Sequence, residues 1–168
     1  MSKLYIGIDN GISGNIGWIL PDGYRGMLAT PTIKQQSYTK KKQGISRLDA
    51  PDFRREIELI IQGEVKNNIL CVLERPMINP GRFKASISAA RCLEAELCIL
   101  ELLKVPYMYC DSREWQHEFL PAGCKGDELK KKSKEIGLRL FPDLSREITM
   151  QKDADSIFIA EWARRKGL

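Results

Sequence analysis

Histidine is almost missing from this chain: His117 is the single one in 168 residues. One histidine is too few for a Ser-His-Asp relay or a histidine-based zinc site. His117 falls on an expected helix and reads as a structural or surface residue. No GxxxxGK[ST] stretch is present, which excludes a P-loop and, with it, that mode of nucleotide binding. Five cysteines (Cys71, Cys92, Cys98, Cys110, Cys124) include no CxxC pair. Their odd number and apolar neighbours point to reduced, mostly buried thiols in a cytoplasmic protein. No apolar run approaches the roughly 20 residues needed to cross a bilayer. Strand-like sequence begins by Leu4, so neither a leader nor membrane attachment is expected. Internal repeats are absent as well, and residues 1–168 read as a single domain.

What is present is carboxylate at the ends of apolar segments. The strand-like run Leu4-Tyr5-Ile6-Gly7-Ile8 ends in Asp9, followed by the glycine-rich turn Gly11-Ile12-Ser13-Gly14. The continuous apolar run Ile69-Leu70-Cys71-Val72-Leu73 ends in Glu74. Asp153 and Asp155 open the last helical stretch, Asp155 to Trp162 and beyond. Singly, each has a structural explanation. Asp9 can accept hydrogen bonds from its turn, Glu74 can pair with Arg75 or Lys84, and Asp153 and Asp155 can cap a helix. Together they are three separate elements, each delivering an acid where desolvation is costly without a cation. Hard divalent cations, Mg²⁺ first and Mn²⁺ as a substitute, take such oxygen ligands. Carboxylates without a histidine base suit metal-assisted hydrolysis at phosphorus. In that chemistry two Mg²⁺ ions flank the scissile phosphate, one activating water and one stabilising the leaving oxygen.

The charge distribution fits a polyanionic substrate. The chain carries 27 basic and 22 acidic residues, net +5. Between residues 34 and 48 lie Lys34, Lys40, Lys41, Lys42 and Arg47, with no acid. A second basic stretch comprises Lys125, Lys130, Lys131, Lys132 and Lys134. Such patches suit a nucleic-acid backbone, although they also suit solvated loops and helix faces.

The pattern of elements gives the fold class. Residues 3–9, 15–20 and about 26–33 read as three strands joined by short turns, with an antiparallel meander as the simplest pairing. Residues 34–48 lack a sustained period and read as a flexible loop. Asp49 and Pro51 start a helix that runs to about Gly63. Residues 69–74 read as a buried strand. Residues 84–104 form a long helix, apolar around much of its circumference: either one face covers the sheet and another meets a partner chain, or both are satisfied within one monomer. Residues 105–110 form a short strand. Helices follow from Asp111 or Ser112, from Gly126 or Asp127, and over 154–166. The order β-β-β-α-β-α-β-α-α-α implies an α/β fold. It consists of a mixed five-stranded sheet, an antiparallel meander plus parallel strands, with helices on both faces.

The ordered motifs Ile6-Gly7-Ile8-Asp9-Asn10-Gly11, Val72-Leu73-Glu74-Arg75-Pro76 and Asp153-Ala154-Asp155-Ser156-Ile157 resemble those of the RuvC-type Holliday junction resolvases. These belong to the RNase H superfamily, and the chain looks closest to the small phage versions. The resemblance implies an RNase H-like fold and a homodimer that resolves four-way DNA junctions, in the bacterial host cytoplasm if phage-encoded. It also implies Asp9, Glu74 and Asp155 as metal ligands and catalytic residues. The family's fourth ligand usually precedes the last aspartate by three residues, where Lys152 stands here. Asp153 is the nearest acid. Two residues on a regular helix are about 200° apart, so Asp153 and Asp155 share the metals only if Asp153 precedes the helix. The resemblance further places Phe83, between Arg82 and Lys84, near a junction centre, and Lys125 and Lys130 near the cut phosphate. With the basic loop Lys40, Lys41, Lys42 and Arg47, these are the expected DNA contacts.

Three other readings stand beside this one. A nuclease of the same superfamily could act on flaps, other branched DNA or RNA precursors. A non-catalytic DNA-binding module could keep the fold, though its acids would be missing. An actin-like ATPase or sugar kinase shares the first motif but needs two such domains and a longer chain.

Overall fold

The computed structural model describes residues 3–37, 40 and 43–168. Five strands form the main sheet: β1 (Leu4–Ile8), β2 (Asn15–Ile19), β3 (Arg25–Ala29), β6 (Ile69–Glu74) and β7 (Tyr107–Cys110). Their order is β3-β2-β1-β6-β7. The first three are an antiparallel meander, and β6 and β7 add in parallel to β1. This is the expected mixed sheet.

Alternation along the strands builds two cores. Leu4, Ile6 and Ile8 of β1 and Ile69, Cys71 and Leu73 of β6 face one side. There they meet Phe53, Ile57 and Ile60 of α1 (Ala50–Ile60) and Cys92, Ile99 and Leu100 of α2 (Phe83–Leu102). Tyr5 and Val72 face the other side, against α3 (Ser112–Phe119), α5 (Ser145–Met150) and α6 (Asp155–Lys166). By the same parity Asp9, one residue past β1, and Glu74, the last residue of β6, stand on the α6 side. Helix α6 is buried from Ser156 to Ala163. Its Phe158 stacks on Phe119 at 4.8 Å and on Trp115 at 6.2 Å between ring centroids.

Two glycines let α6 lie directly on the sheet. Gly7 and Gly17 are cross-strand partners. A Cβ at Gly7 would come 2.1 Å from the Ser156 carbonyl oxygen, and one at Gly17 would come 2.6 Å from the Ile157 nitrogen. Glycine inside a strand marks such a close backbone approach.

The structure corrects the sequence reading in three places. Within the span 34–48, residues 34–36 and 44–48 are strand rather than loop. Strands β4 (Thr32–Gln36) and β5 (Gly44–Leu48) pair as a separate antiparallel hairpin. No apolar period announces it because both faces of β4 are exposed and only Leu48 reaches the core. The third strand stops at Ala29 rather than at 33, since Pro31 cannot donate to a ladder. A short helix, α5, has no sequence signature because its six residues cannot display an amphipathic period. The remaining helix, α4, spans Gly126–Leu140. Among the described residues no helix is long and apolar enough to cross a membrane.

Candidate metal centre

Asp9 leaves the sheet into a turn that folds back on it. Its N–H donates to the Asn15 carbonyl at 3.0 Å. Gly14 must be glycine, because a Cβ there would lie 1.9 Å from the Asp9 carbonyl oxygen. The turn delivers Asn15, fully buried at the start of β2. Its Nδ2 donates to Asp153 Oδ1 at 3.0 Å, and its Oδ1 accepts from the Ser156 N–H at 3.1 Å. One side chain thus ties the first turn to the start of α6.

Asp153 lies before the regular helix, whose first residue is Asp155 and whose cap is Ala154. The 200° separation of a continuous helix therefore does not apply. Asp9, Asp153 and Asp155 each present a carboxylate oxygen, all within 4.8 Å of one another. Asp153 has no exposed surface, whereas Lys152 faces solvent. Glu74 stands beside this trio rather than within it. Its Oε2 accepts from Trp115 Nε1–H at 2.8 Å, and Trp115 is itself fully buried.

Helix α4 supports the cluster from one face. Lys130 Nζ reaches Asp153 Oδ2 at 3.2 Å. One turn on, the Ser133 hydroxyl donates to Asp155 and accepts from the Ala154 N–H at 3.1 Å. Lys134 Nζ clamps the carbonyls of Thr149 at 2.7 Å and Gln151 at 2.8 Å. The i, i+3, i+4 spacing of these residues puts all three on the side that meets residues 149–155. Gly137 continues that side, where a Cβ would meet Ala154 Cβ at 2.5 Å.

The acids repel one another. Burial, then Asp155, Asp153 and Glu74, hold the Asp9 carboxyl well above its usual range, and Lys130 opposes them. Burial and Asp153 push Asp155 up to about 7, against the Ser133 hydrogen bond. Burial raises Glu74, against the Trp115 hydrogen bond. An all-oxygen, partly buried set with mutual repulsion fits a hard divalent cation.

The remaining expected site residues lie on the surface. Arg47 is exposed on β5, its Nη1 donating to Gln35 Oε1 at 3.0 Å across the hairpin. Lys40 is exposed, whereas Lys41 and Lys42 lie outside the described residues. Arg82 and Lys84 are exposed and flank Phe83, which is 67% exposed at the start of α2, beyond the segment that follows Glu74. Lys125 is exposed just before α4. His117 is exposed on α3.

Asn15, Ser133 and Trp115 were not singled out from sequence. Gly14-Asn15 before an apolar strand, and a serine inside a lysine-rich helix, are the signals they left.

No protein-family model and no curated protein matches the sequence. Solved structures do. The chain superposes on Thermus thermophilus RuvC in complex with a Holliday junction substrate, with a TM-score of 0.52 at 14% identity, covering 98% of this chain and 96% of that one. The chain has the RuvC-type RNase H fold. A second Thermus thermophilus RuvC structure aligns over the same shares, with a TM-score of 0.47 at 14% identity. In this chain the acidic cluster sits where β1, β6 and the start of α6 meet.

Proposed function

We propose that this protein is a divalent-metal-dependent endonuclease that cuts branched DNA, with the four-way junction as its substrate. The convergence of Asp9, Asp153 and Asp155 at the start of α6, beside Glu74, carries this reading. The likeness of the fold to a RuvC bound to a Holliday junction supports it. Mg²⁺, or Mn²⁺ in its place, would be held by Asp9, Asp153 and Asp155 with Glu74 completing a second position. Bound there, the cations would activate water and stabilise the leaving oxygen at phosphorus. The chain's own groups do the rest. Asn15 and Ser133 fix the rotamers of Asp153 and Asp155, and Trp115 fixes Glu74. The exposed cations Lys40, Arg47, Arg82, Lys84 and Lys125 hold backbone phosphates on either side, and Phe83 presents a ring to unstacked bases.

Paired cuts on a two-fold symmetric junction need two such sites, which a C₂ homodimer supplies. Helix α2 is its candidate interface. Ile99 and Leu100 are buried in the monomer, whereas Leu93 and Leu97 are partly exposed and Leu102 is exposed. Leu97→Glu would then give folded monomers in sedimentation.

The substrate is tested with labelled four-way junction, flap, linear duplex and RNA, each incubated with the protein and Mg²⁺. Paired incisions confined to the four-way junction are expected. Faster cutting of flap or RNA would transfer the same active site to that substrate.

A further inference from the structure

Asp153 carries an oxygen that is already occupied. Its Oδ1 accepts from Asn15 Nδ2 at 3.0 Å and from the Asp155 N–H at 3.4 Å. Oδ2 is therefore the oxygen it has left for a cation, and Lys130 Nζ sits on it at 3.2 Å. The two partners differ in freedom. The Asp153 side chain is 0% exposed, and the Lys130 side chain is 46% exposed. The ammonium can swing out to solvent by rotamer change along its flexible stem, while the carboxylate cannot follow. Around it stand Asp9, Asp155 and Glu74, each of which Lys130 partly neutralises. A lysine in this position does what a metal would do, at lower charge.

We infer that Lys130 is the resident counter-ion of the cluster, occupying Asp153 Oδ2 until a divalent cation displaces it. The inference rests on the reading of the cluster as a metal centre. It adds that metal uptake competes with an internal cation. Metal affinity is therefore held down, and loading turns the Lys130 ammonium outward.

The test measures metal binding rather than cleavage. Mn²⁺ titration followed by electron paramagnetic resonance compares wild type, Lys130→Met and Lys130→Arg. Removing a positive charge a few ångströms from the incoming ion should tighten Mn²⁺ binding about tenfold in Lys130→Met, with Lys130→Arg staying near wild type. Metal-free Lys130→Met should also melt below wild type, because the acids lose their counter-ion. In wild type labelled with ¹³C at lysine Cε, diamagnetic Mg²⁺ should move the Lys130 signal to that of a solvent-exposed lysine. If Lys130→Met binds Mn²⁺ no more tightly than wild type, or Mg²⁺ leaves the Lys130 signal in place, the ion pair is permanent and the inference is wrong. If wild type takes up no Mn²⁺, the metal-centre reading falls first and the inference falls with it.

Discussion

Gly7 and Gly17 face each other across β1 and β2, and the backbone of α6 lies over both. This pair sets the distance between the sheet, which carries Asp9, and the helix, which carries Asp155. Gly7→Ala would insert a methyl into the Ser156 carbonyl, a backbone atom that cannot step aside. Overpacking usually costs about 1–3 kcal/mol, and a clash with helix backbone should cost at least about 3 kcal/mol. Chemical denaturation should show that loss. Any folded fraction should bind Mn²⁺ more weakly, because α6 has been lifted away from β1.

The hydrogen bond from Trp115 to Glu74 offers a finer test of the site. Trp115→Phe keeps an aromatic ring against Phe158 and removes the N–H. It should cost about 1–2 kcal/mol of stability. Cleavage should slow about tenfold with DNA affinity unchanged, since a misplaced catalytic group affects turnover more than binding. Gel-shift and single-turnover measurements on the same preparation separate the two effects.

The raised acids fix the direction of the pH dependence. In the metal-free fold Asp155 titrates near 7, and Asp9 and Glu74 are raised too. Glu96, buried on the other face beside Cys92, is also pushed up to about 7 by its burial. In the unfolded chain all four would titrate near 4. Between about 4 and 7 the folded protein therefore holds more protons than the unfolded one. Stability from Asp155 and Glu96 is complete below about pH 4 and is lost as pH rises through about 7, and the raised Asp9 and Glu74 carboxyls act in the same direction. The melting temperature in chelator should fall from pH 5.5 to pH 8, and Mg²⁺ should restore more of it at pH 8. Calorimetric titration near pH 6.5 should show protons released as metal binds.

The basic segment 34–48 should act through phosphates alone. Replacing Lys40, Lys41 and Lys42 by Ala should weaken binding to every DNA sequence alike. The slope of log affinity against log salt should become shallower by about 0.9 for each phosphate that the protein no longer neutralises. Filter binding at several salt concentrations reads this directly, and an unchanged slope would leave these lysines without a role on DNA.

Much of this architecture was legible in the sequence, for identifiable reasons. β6 runs from Ile69 to Glu74 as its unbroken apolar run suggests, and α1 begins after Asp49 with Pro51 in its first turn. Asp9 and Glu74 were visible because a carboxylate ending an apolar run stands out. The β4–β5 hairpin was hidden because backbone ladder bonds, not a hydrophobic face, hold it together. The shared position of Asp153 and Asp155 was hidden as well. It depends on where α6 begins, and helix boundaries are set by local caps and contacts that composition does not show. Lys130 read as one of a row of surface lysines. Its approach to Asp153 follows from the docking of α4 against residues 149–155, a tertiary relationship with no local signature.

If the Asp9 cluster is a cation site that cuts branched DNA, one substitution should separate cutting from binding. Wild type and Asp9→Asn are incubated with a labelled mobile four-way junction in Mg²⁺, with binding measured in parallel in Ca²⁺. The neutral side chain weakens metal binding while reducing repulsion of the phosphates. Asp9→Asn should therefore lose cleavage by about a thousandfold or more, judged by the usual scale of losing a key electrostatic group. It should bind the junction as tightly as wild type, or more tightly. Cleavage by Asp9→Asn at the wild-type rate, or loss of binding in proportion to cleavage, would make Asp9 a structural residue rather than a metal ligand.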